Sequence, residues 1–147
     1  MSNQQLEEGR VLTLDFEKLQ KVAKTGVAVL PVAVQDVDSK AVLIVAYANE
    51  VALNYTLKHG IAAFWSTSRN ELWVKGAGSG NTLAVSEVRV NCEQNSLLYL
   101  VRLQNAGACH TQDEDGNPRQ GCYYRRISQT ETTEGSALAL TFVENRA

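Results

Sequence analysis

The sequence has little proline, few cysteines and almost no net charge. Its 147 residues include two prolines and three cysteines, and the formal net charge is -2. A chain without a basic excess lacks the field that gathers nucleic acid or anionic lipid. No apolar stretch approaches a membrane span, and the N-terminal residues are polar and acidic, unlike an export signal. We therefore expect a cytoplasmic protein that binds neither nucleic acid nor membranes.

The chain also lacks internal repeats, low-complexity tracts and linkers rich in proline or glycine. Its prolines, Pro31 and Pro118, lie far apart. A chain of this length buries about two-thirds of its unfolded surface and folds without disulfides. We expect residues 1–147 to form a single domain.

Local patterns predict two short helices and eight strands. One helix is expected at residues 16–24, with Asp15 as its N-cap and an inner face of Phe16, Leu19, Val22 and Ala23. A second is expected at residues 50–58, between an Asn49 cap and Gly60. Strands are expected at residues 28–34, 41–47, 62–67, 71–75, 82–91, 96–103, 121–127 and 137–142. Since several strands are apolar on both faces, we expect an α+β fold with a curled, barrel-like, mainly antiparallel sheet.

The three cysteines are Cys92, Cys109 and Cys122, and His110 directly follows the second of them. Without an export signal, such a set points to a metal site before it points to a disulfide. Three thiolates hold Zn²⁺ and leave a fourth position open for chemistry. Cysteines are also common buried apolar residues, and no Cys-x-x-Cys pair is present. His110 could ligate the metal, transfer a proton or cap a loop.

The segment at residues 64–81 combines tryptophans, hydroxyls, two cations and a glycine-rich loop. Such groups stack a base and surround a phosphate. The candidate substrate-binding residues are Trp65, Ser66, Ser68, Arg69, Trp73, Lys75, Gly76, Ser79, Gly80 and Asn81. The alternative is a plain hairpin turning at residues 68–71, with its tryptophans in the core and a solvated loop, because no helix follows the loop as in a P-loop.

Polar residues alternate around Cys92 after a predicted strand. Asn91, Glu93 and Asn95 would share the side opposite the cysteine and could face a second metal. Mg²⁺ prefers anionic oxygens, and only Glu93 is charged. As a turn between two strands, the segment needs no metal.

Several motifs occur together in one order along the chain. They are Ala46-Tyr47-Ala48-Asn49-Glu50, Trp65-Ser66-Thr67-Ser68-Arg69, Leu72-Trp73-Val74-Lys75-Gly76, Ser79-Gly80-Asn81, Ala108-Cys109-His110-Thr111 and Cys122-Tyr123-Tyr124-Arg125. This order resembles the phosphoribosyl-AMP cyclohydrolase family over residues 28–127. The resemblance implies a homodimeric, cytoplasmic zinc hydrolase of histidine biosynthesis that opens the adenine ring of phosphoribosyl-AMP between N1 and C6.

The resemblance also implies roles for particular residues. Carried over by position, the zinc ligands are Cys92, Cys109 and Cys122, contributed by both chains across the dimer interface. His110 is then a candidate catalytic residue for proton transfer, and residues 65–81 look like the substrate-holding segment. Zinc with an open position can activate water near neutral pH.

The chain departs from the family pattern at three places. The family reads Asp-Cys-Asp-x-Asp around the first cysteine, and its aspartates bind Mg²⁺, whereas Asn91, Glu93 and Asn95 form a degenerate magnesium site here. Thr67 replaces a family arginine. The segment from Cys109 to Cys122 is longer than usual and carries three acidic residues, Asp113, Glu114 and Asp115.

These departures leave alternatives to the cyclohydrolase activity. The chain could be a paralogue that hydrolyses another purine-like or C–N substrate. It could also be a non-catalytic binding module stabilised by zinc, with His110 as the fourth ligand. The acidic residues at 113–115 could fold over and replace the missing carboxylates.

Overall fold

The computed structural model describes residues 2–105, 107–132 and 135–143 of the chain. The described helices are α1 (Asn3–Glu8), α2 (Lys18–Lys24) and α3 (Glu50–His59). The described strands are β1 (Leu30–Asp36), β2 (Val42–Ala48), β3 (Ala63–Ser66), β4 (Glu71–Val74), β5 (Leu83–Val90), β6 (Leu97–Leu103), β7 (Arg125–Thr132) and β8 (Gly135–Phe142). The predicted α+β class is confirmed, with one more helix than the sequence patterns predicted.

The central sheet has the strand order β2-β1-β6-β5, and β3-β4 and β7-β8 form two separate hairpins. Strand pairing is antiparallel except between β1 and β6, which run parallel. The expected barrel is wrong for the described part of the chain, because β2 and β5 are the edges of an open sheet. The β3–β4 hairpin approaches the β5 edge through an Ala62 N–H to Leu83 carbonyl bond of 2.9 Å, without continuing around to β2.

The core lies between the central sheet, α3 and the β3–β4 hairpin. Alternation along β1 buries Val32 and Val34 completely, and Tyr99 and Val101 of β6 lie beside them. Burying a side chain of this size contributes about 1.5–3 kcal/mol. Thr56 joins α3 to β3, because its hydroxyl accepts the Ala63 N–H at 2.9 Å.

The prediction for α3 is confirmed at both ends. The Asn49 side chain accepts the N–H of Ala52 at 3.0 Å, which satisfies one of the first free donors of the helix. Gly60 ends the helix in the left-handed conformation with φ at 68°, which glycine adopts without strain.

The prediction for α2 is wrong at its start and on its inner face. Asp15 accepts the N–H of Glu17 at 3.1 Å, but the helix itself begins at Lys18. Only Val22 is buried, whereas Phe16 is 87% exposed and Leu19 69% exposed. Ala23 is also exposed. Sequence periodicity shows that a helix has an apolar side, but it does not show whether the same chain covers it.

The predicted strand at 121–127 begins later than expected, at Arg125. Its first residues instead follow the edge of β2, where the Cys122 N–H donates to the Leu43 carbonyl at 2.7 Å. Gly121 makes this approach possible, since a Cβ there would lie 3.1 Å from the Leu43 backbone.

Among the described helices α3 is the longest, with ten residues, and none is long and apolar enough to cross a membrane.

Candidate functional site

Two of the three cysteines lie together beside β2. The Cys109 N–H donates to the Arg119 carbonyl at 3.1 Å, and Cys122 is fixed to Leu43, so both backbones are held. A hydrogen bond from the Cys122 thiol lowers the pKa of Cys109, and the hydroxyl of Thr111, 3.0 Å from the Cys109 sulfur, acts in the same direction. The same shared proton raises the pKa of Cys122. Cys109 is therefore the sulfur that becomes a thiolate first.

Cys92 lies apart from this pair. It is exposed on the turn that follows β5, at the opposite edge of the central sheet from β2. Three strand spacings separate these edges, which is about 14 Å measured along the sheet. Within residues 2–105, 107–132 and 135–143, no three His, Cys, Asp or Glu side chains come close enough to hold a metal ion. The three predicted zinc ligands therefore do not converge within one chain.

His110 projects from the surface next to the cysteine pair. Its side chain is 75% exposed, and Nε2 lies 2.9 Å from the Glu7 carboxylate of α1. The imidazole is thus held from the N-terminal helix, which the predictions did not include.

A buried arginine connects α1 to the cysteine loop. Arg119 donates two hydrogen bonds to the Glu8 carboxylate, at 2.7 and 2.9 Å, and its guanidinium stacks over the Tyr124 ring at 4.1 Å. The Tyr124 hydroxyl donates to the Glu7 carbonyl at 2.8 Å. The sequence does signal the start of α1, because Ser2 and Gln5 form a capping box. No local pattern pairs Glu8 with Arg119.

Lys75 is a predicted substrate-binding residue whose charge interacts with the cysteine pair. It is only 7% exposed, and its ammonium lies 5.8 Å from the centre of the Trp73 ring. Burial lowers the pKa of Lys75, and the neighbouring sulfurs of Cys122 and Cys109 act against this shift. The end of β4 therefore brings one cation to the thiols.

The other end of the β3–β4 hairpin carries the remaining polar candidates. Ser66 accepts hydrogen bonds from the backbone N–H and Nε of Arg69, both at 3.3 Å, and Ser68 lies 3.4 Å from Ser66. Trp65 donates through Nε1 to the Asn70 side chain at 3.1 Å. The register places Ser66 and Ala63 at opposite ends of β3, so this tip lies about 10 Å from the Lys75 end.

The glycine-rich loop closes on itself directly after Lys75. The Gly80 N–H donates to the Gly76 carbonyl at 2.9 Å, the Asn81 N–H donates to the Ser79 hydroxyl at 3.3 Å, and Asn105 donates to the Gly80 carbonyl. Gly76 has φ at 77°, and a Cβ there would lie 2.2 Å from the Asn81 backbone. The loop is a tight turn whose shape depends on Gly76.

The candidate magnesium residues form a hydrogen-bonded turn. The Asn91 Oδ1 accepts the N–H groups of Asn95 and Ser96 at 2.8 and 2.9 Å, and its Nδ2 donates to Asn95 Oδ1 at 2.7 Å. Asn95 also donates to the Glu93 carboxylate at 3.4 Å. Because the amide oxygens already accept protein hydrogen bonds and only one carboxylate is present, these residues do not fit Mg²⁺.

The acidic loop lines a cleft of about 740 Å³, together with Arg10, Arg119 and Tyr123. The Asp113 carboxylate accepts the N–H groups of Asp115 and Asn117 at 2.9 and 3.0 Å, so it shapes its own turn. In the described part of the chain, these carboxylates do not form a metal-binding group with one another or with Glu93.

The cysteine pair does fit part of a zinc site. Zinc binds thiolates, and the environment of Cys109 favours that form. Cys109 and Cys122 supply two neighbouring sulfurs, so a third protein ligand has to come from outside this group.

Fold and site together describe a small α+β protein whose reactive groups are a thiol pair flanked by a histidine and a lysine. The chain belongs to the phosphoribosyl-AMP cyclohydrolase family, whose model matches residues 44–124. It is an enzyme of this hydrolase family.

Curated relatives extend the match beyond that segment. The phosphoribosyl-AMP cyclohydrolase of Archaeoglobus fulgidus is 50% identical over 102 residues, which cover 69% of this chain and 88% of the relative. That of Haloquadratum walsbyi is 44% identical over 105 residues, covering 71% and 74%. That of Desulfotalea psychrophila is 38% identical over 129 residues, covering 87% and 92%.

Proposed function

We propose that this chain is a phosphoribosyl-AMP cyclohydrolase, which hydrolyses the N1–C6 bond of an N1-phosphoribosylated adenine in histidine biosynthesis. The observation that supports this most directly is the Cys109–Cys122 pair with Lys75 and His110 beside it. These residues belong to separate motifs of one family, and folding brings them to one place.

We also propose that the active unit is a homodimer that binds zinc through Cys109 and Cys122 of one chain and Cys92 of the other. Two observations support a shared site. Cys92 is exposed at one sheet edge while the pair lies at the other edge. Apolar side chains are exposed on β2 near the pair, at Val42 and Val45, and at the start of the α2 region, at Phe16 and Leu19. A second copy of the chain would bury this surface and supply the missing thiol.

The proposed chemistry divides between the metal and the side chains. Zinc supplies activated water when it is bound. Breaking the bond between C6 and N1 requires a proton at the departing nitrogen, and we propose that His110 carries it. Lys75 provides positive charge next to the thiols, where burial strengthens its interactions.

The substrate is expected to lie along the β3–β4 hairpin. Lys75 and the loop at residues 76–81 stand at the thiol end, and Arg69 stands about 10 Å away at the tip. A nucleotide with a phosphate at each end spans such a distance. Backbone N–H groups of the loop and the Arg69 guanidinium are the donors available for these phosphates.

The altered family motifs also predict that the chain could act on a substrate other than phosphoribosyl-AMP, and this stays a prediction. The non-catalytic module requires His110 as a fourth zinc ligand, and the bond between His110 Nε2 and Glu7 leaves Nδ1 free under either alternative. The two proposals differ in a measurable way, because only the enzyme opens the purine ring.

The test is an ultraviolet assay of ring opening by the zinc-loaded protein with phosphoribosyl-AMP. Sustained turnover that stops when His110 is replaced by alanine is expected. If correctly folded, zinc-loaded protein shows no turnover, the proposed activity is wrong.

Mixed dimers test the shared site. Each of the variants Cys92→Ala and Cys109→Ala should be inactive alone, but random mixing after reversible dissociation should restore about a quarter of the wild-type activity. Half of the dimers are then mixed, and each mixed dimer has one complete site of two. Mixing Cys109→Ala with Cys122→Ala is the matched control and should restore nothing. Equal behaviour of the two mixtures contradicts the shared site.

A further inference from the structure

Glu7 lies outside the segment that the family model matches, yet its carboxylate reaches His110. The separation of 2.9 Å between Glu7 Oε2 and His110 Nε2 is that of a hydrogen bond. The Glu7 side chain is 30% exposed and the His110 side chain 75% exposed. An imidazole so open to solvent rotates unless a partner holds it.

Glu7 is itself held in place by residues of the cysteine loop. Its carbonyl accepts a hydrogen bond from the Tyr124 hydroxyl at 2.8 Å. Arg125 donates to the carbonyls of Leu6 and Gly9, both at 2.8 Å, which satisfies the free end of α1. These bonds fix the helix turn from which the Glu7 side chain projects.

Arg119 holds both partners of the contact. Its side chain binds Glu8, the neighbour of Glu7, and its carbonyl accepts the N–H of Cys109, the neighbour of His110. The Arg119 side chain is 9% exposed and the Glu8 side chain 37% exposed. One largely buried residue therefore connects the helix of Glu7 to the loop of His110.

An ionised carboxylate only accepts hydrogen bonds, so the proton of a neutral His110 must be on Nε2. The other ring nitrogen, Nδ1, then carries the lone pair. A carboxylate bonded to one ring nitrogen in this way fixes the tautomer and orientation of a histidine.

We propose that Glu7 is a positioning residue for His110: its carboxylate accepts a hydrogen bond from Nε2–H, which fixes this tautomer and the orientation of the ring. This inference rests on the proposed function for its role in catalysis. The tautomer itself is a property of the free protein and can be tested without substrate.

Nitrogen NMR of zinc-loaded protein reports the tautomer directly. The chain has two histidines, His59 and His110, and His59 packs against Tyr55 with ring centroids 4.2 Å apart, so it serves as an internal reference. In the wild type at a pH where imidazole is neutral, His110 should show a protonated Nε2. In Glu7→Gln the amide can donate to Nε2, and the signal should shift towards the Nδ1–H form. A wild-type His110 in the Nδ1–H form overturns the proposal.

Kinetics separate positioning from a structural role. We expect Glu7→Gln to lower kcat about tenfold or more with little change in KM. The control Glu8→Gln loosens the same helix but keeps the Glu7 carboxylate, and the exposed control Glu17→Gln should match the wild type. In a His110→Ala background, Glu7→Gln should have no further effect.

The outcomes distinguish the two proposals. If Glu7→Gln and Glu8→Gln have equal effects on kcat and on the NMR signal, Glu7 only anchors the helix and the inference is wrong. If the wild type shows the Nε2–H tautomer but does not hydrolyse phosphoribosyl-AMP, the proposed activity fails while the geometry of Glu7 stands.

Discussion

Glu8 and Arg119 form a two-point ion pair, with oxygen to nitrogen distances of 2.7 and 2.9 Å, between the first helix of the chain and the loop that joins Cys109 to Cys122. The ion pair therefore connects α1 to this loop. Glu7, which precedes Glu8, and Cys122, three residues after Arg119, belong to the candidate site.

This ion pair predicts a pH dependence of stability. The hydrogen bonds from Arg119 lower the pKa of Glu8 below its ordinary value of 4.5. A carboxyl with a lowered folded-state pKa adds stability above its unfolded pKa, and this stability is lost as the pH falls through the folded value. We expect Glu8→Gln to melt at a lower temperature than the wild type at neutral pH, with a difference that shrinks below about pH 4.5. Glu17→Gln is the exposed control, and a difference independent of pH contradicts the prediction.

The glycine loop offers a matched pair of substitutions. Gly76→Ala places a Cβ 2.2 Å from the Asn81 backbone at a φ of 77°, whereas nothing lies within 4 Å of a Cβ at Gly78. We expect Gly76→Ala to cost about 2 kcal/mol or more and Gly78→Ala to cost less than about 1 kcal/mol, measured by urea unfolding. Equal costs would show that the turn does not depend on Gly76.

The Cys92 turn is predicted to keep its shape without magnesium. Asn91→Ala removes the acceptor for two backbone N–H groups and should lower zinc occupancy, whereas Asn91→Asp keeps an acceptor oxygen and should have a smaller effect. Metal analysis of the purified variants checks this order.

Restoring the family carboxylates should create magnesium binding at the same turn. Calorimetric titration with Mg²⁺ is expected to show no binding at this turn in the wild type and binding in the variant with Asn91→Asp, Glu93→Asp and Asn95→Asp together. Loss of wild-type activity on removing Mg²⁺ alone would contradict the expectation for this turn.

Removal of zinc should abolish activity while the chain stays folded. The completely buried Val32, Phe64, Leu83 and Tyr99 belong to a core cluster that includes neither cysteine of the pair, so we expect the fold not to depend on the metal. We expect chelator-treated protein to melt cooperatively, with catalysis restored by added Zn²⁺. Loss of cooperative melting on chelation favours a structural role for zinc.

Local patterns predicted the local parts of the structure. The cap at Asn49 and the stop at Gly60 each depend on neighbouring residues, and both are observed. The hairpin at residues 63–74 follows from alternation and a turn, and it is observed as well. The burial of Phe16 and Leu19 was wrongly predicted. The sequence shows that these side chains are apolar, but it does not show whether the core of the same chain or another molecule covers them.

The site was predictable in composition but not in arrangement. Cys109 and Cys122 are separated by a loop of a dozen residues, and the backbone bonds from Ala108 to Gln120 and from Cys109 to Arg119 bring them together. The roles of Glu7 and Glu8 come from contacts over more than a hundred residues, namely to His110 and Arg119. The local sequence does not indicate contacts between residues so far apart in the chain.

The parallel pairing of β1 with β6 has a consequence for synthesis on the ribosome. Val32 aligns with Leu97, so the middle of the sheet stays open until two-thirds of the polypeptide has emerged, although the hairpins β1–β2 and β3–β4 can close earlier. A nascent chain stalled before Leu97 would expose one side of β1 to solvent, and chaperones bind such unpaired apolar edges.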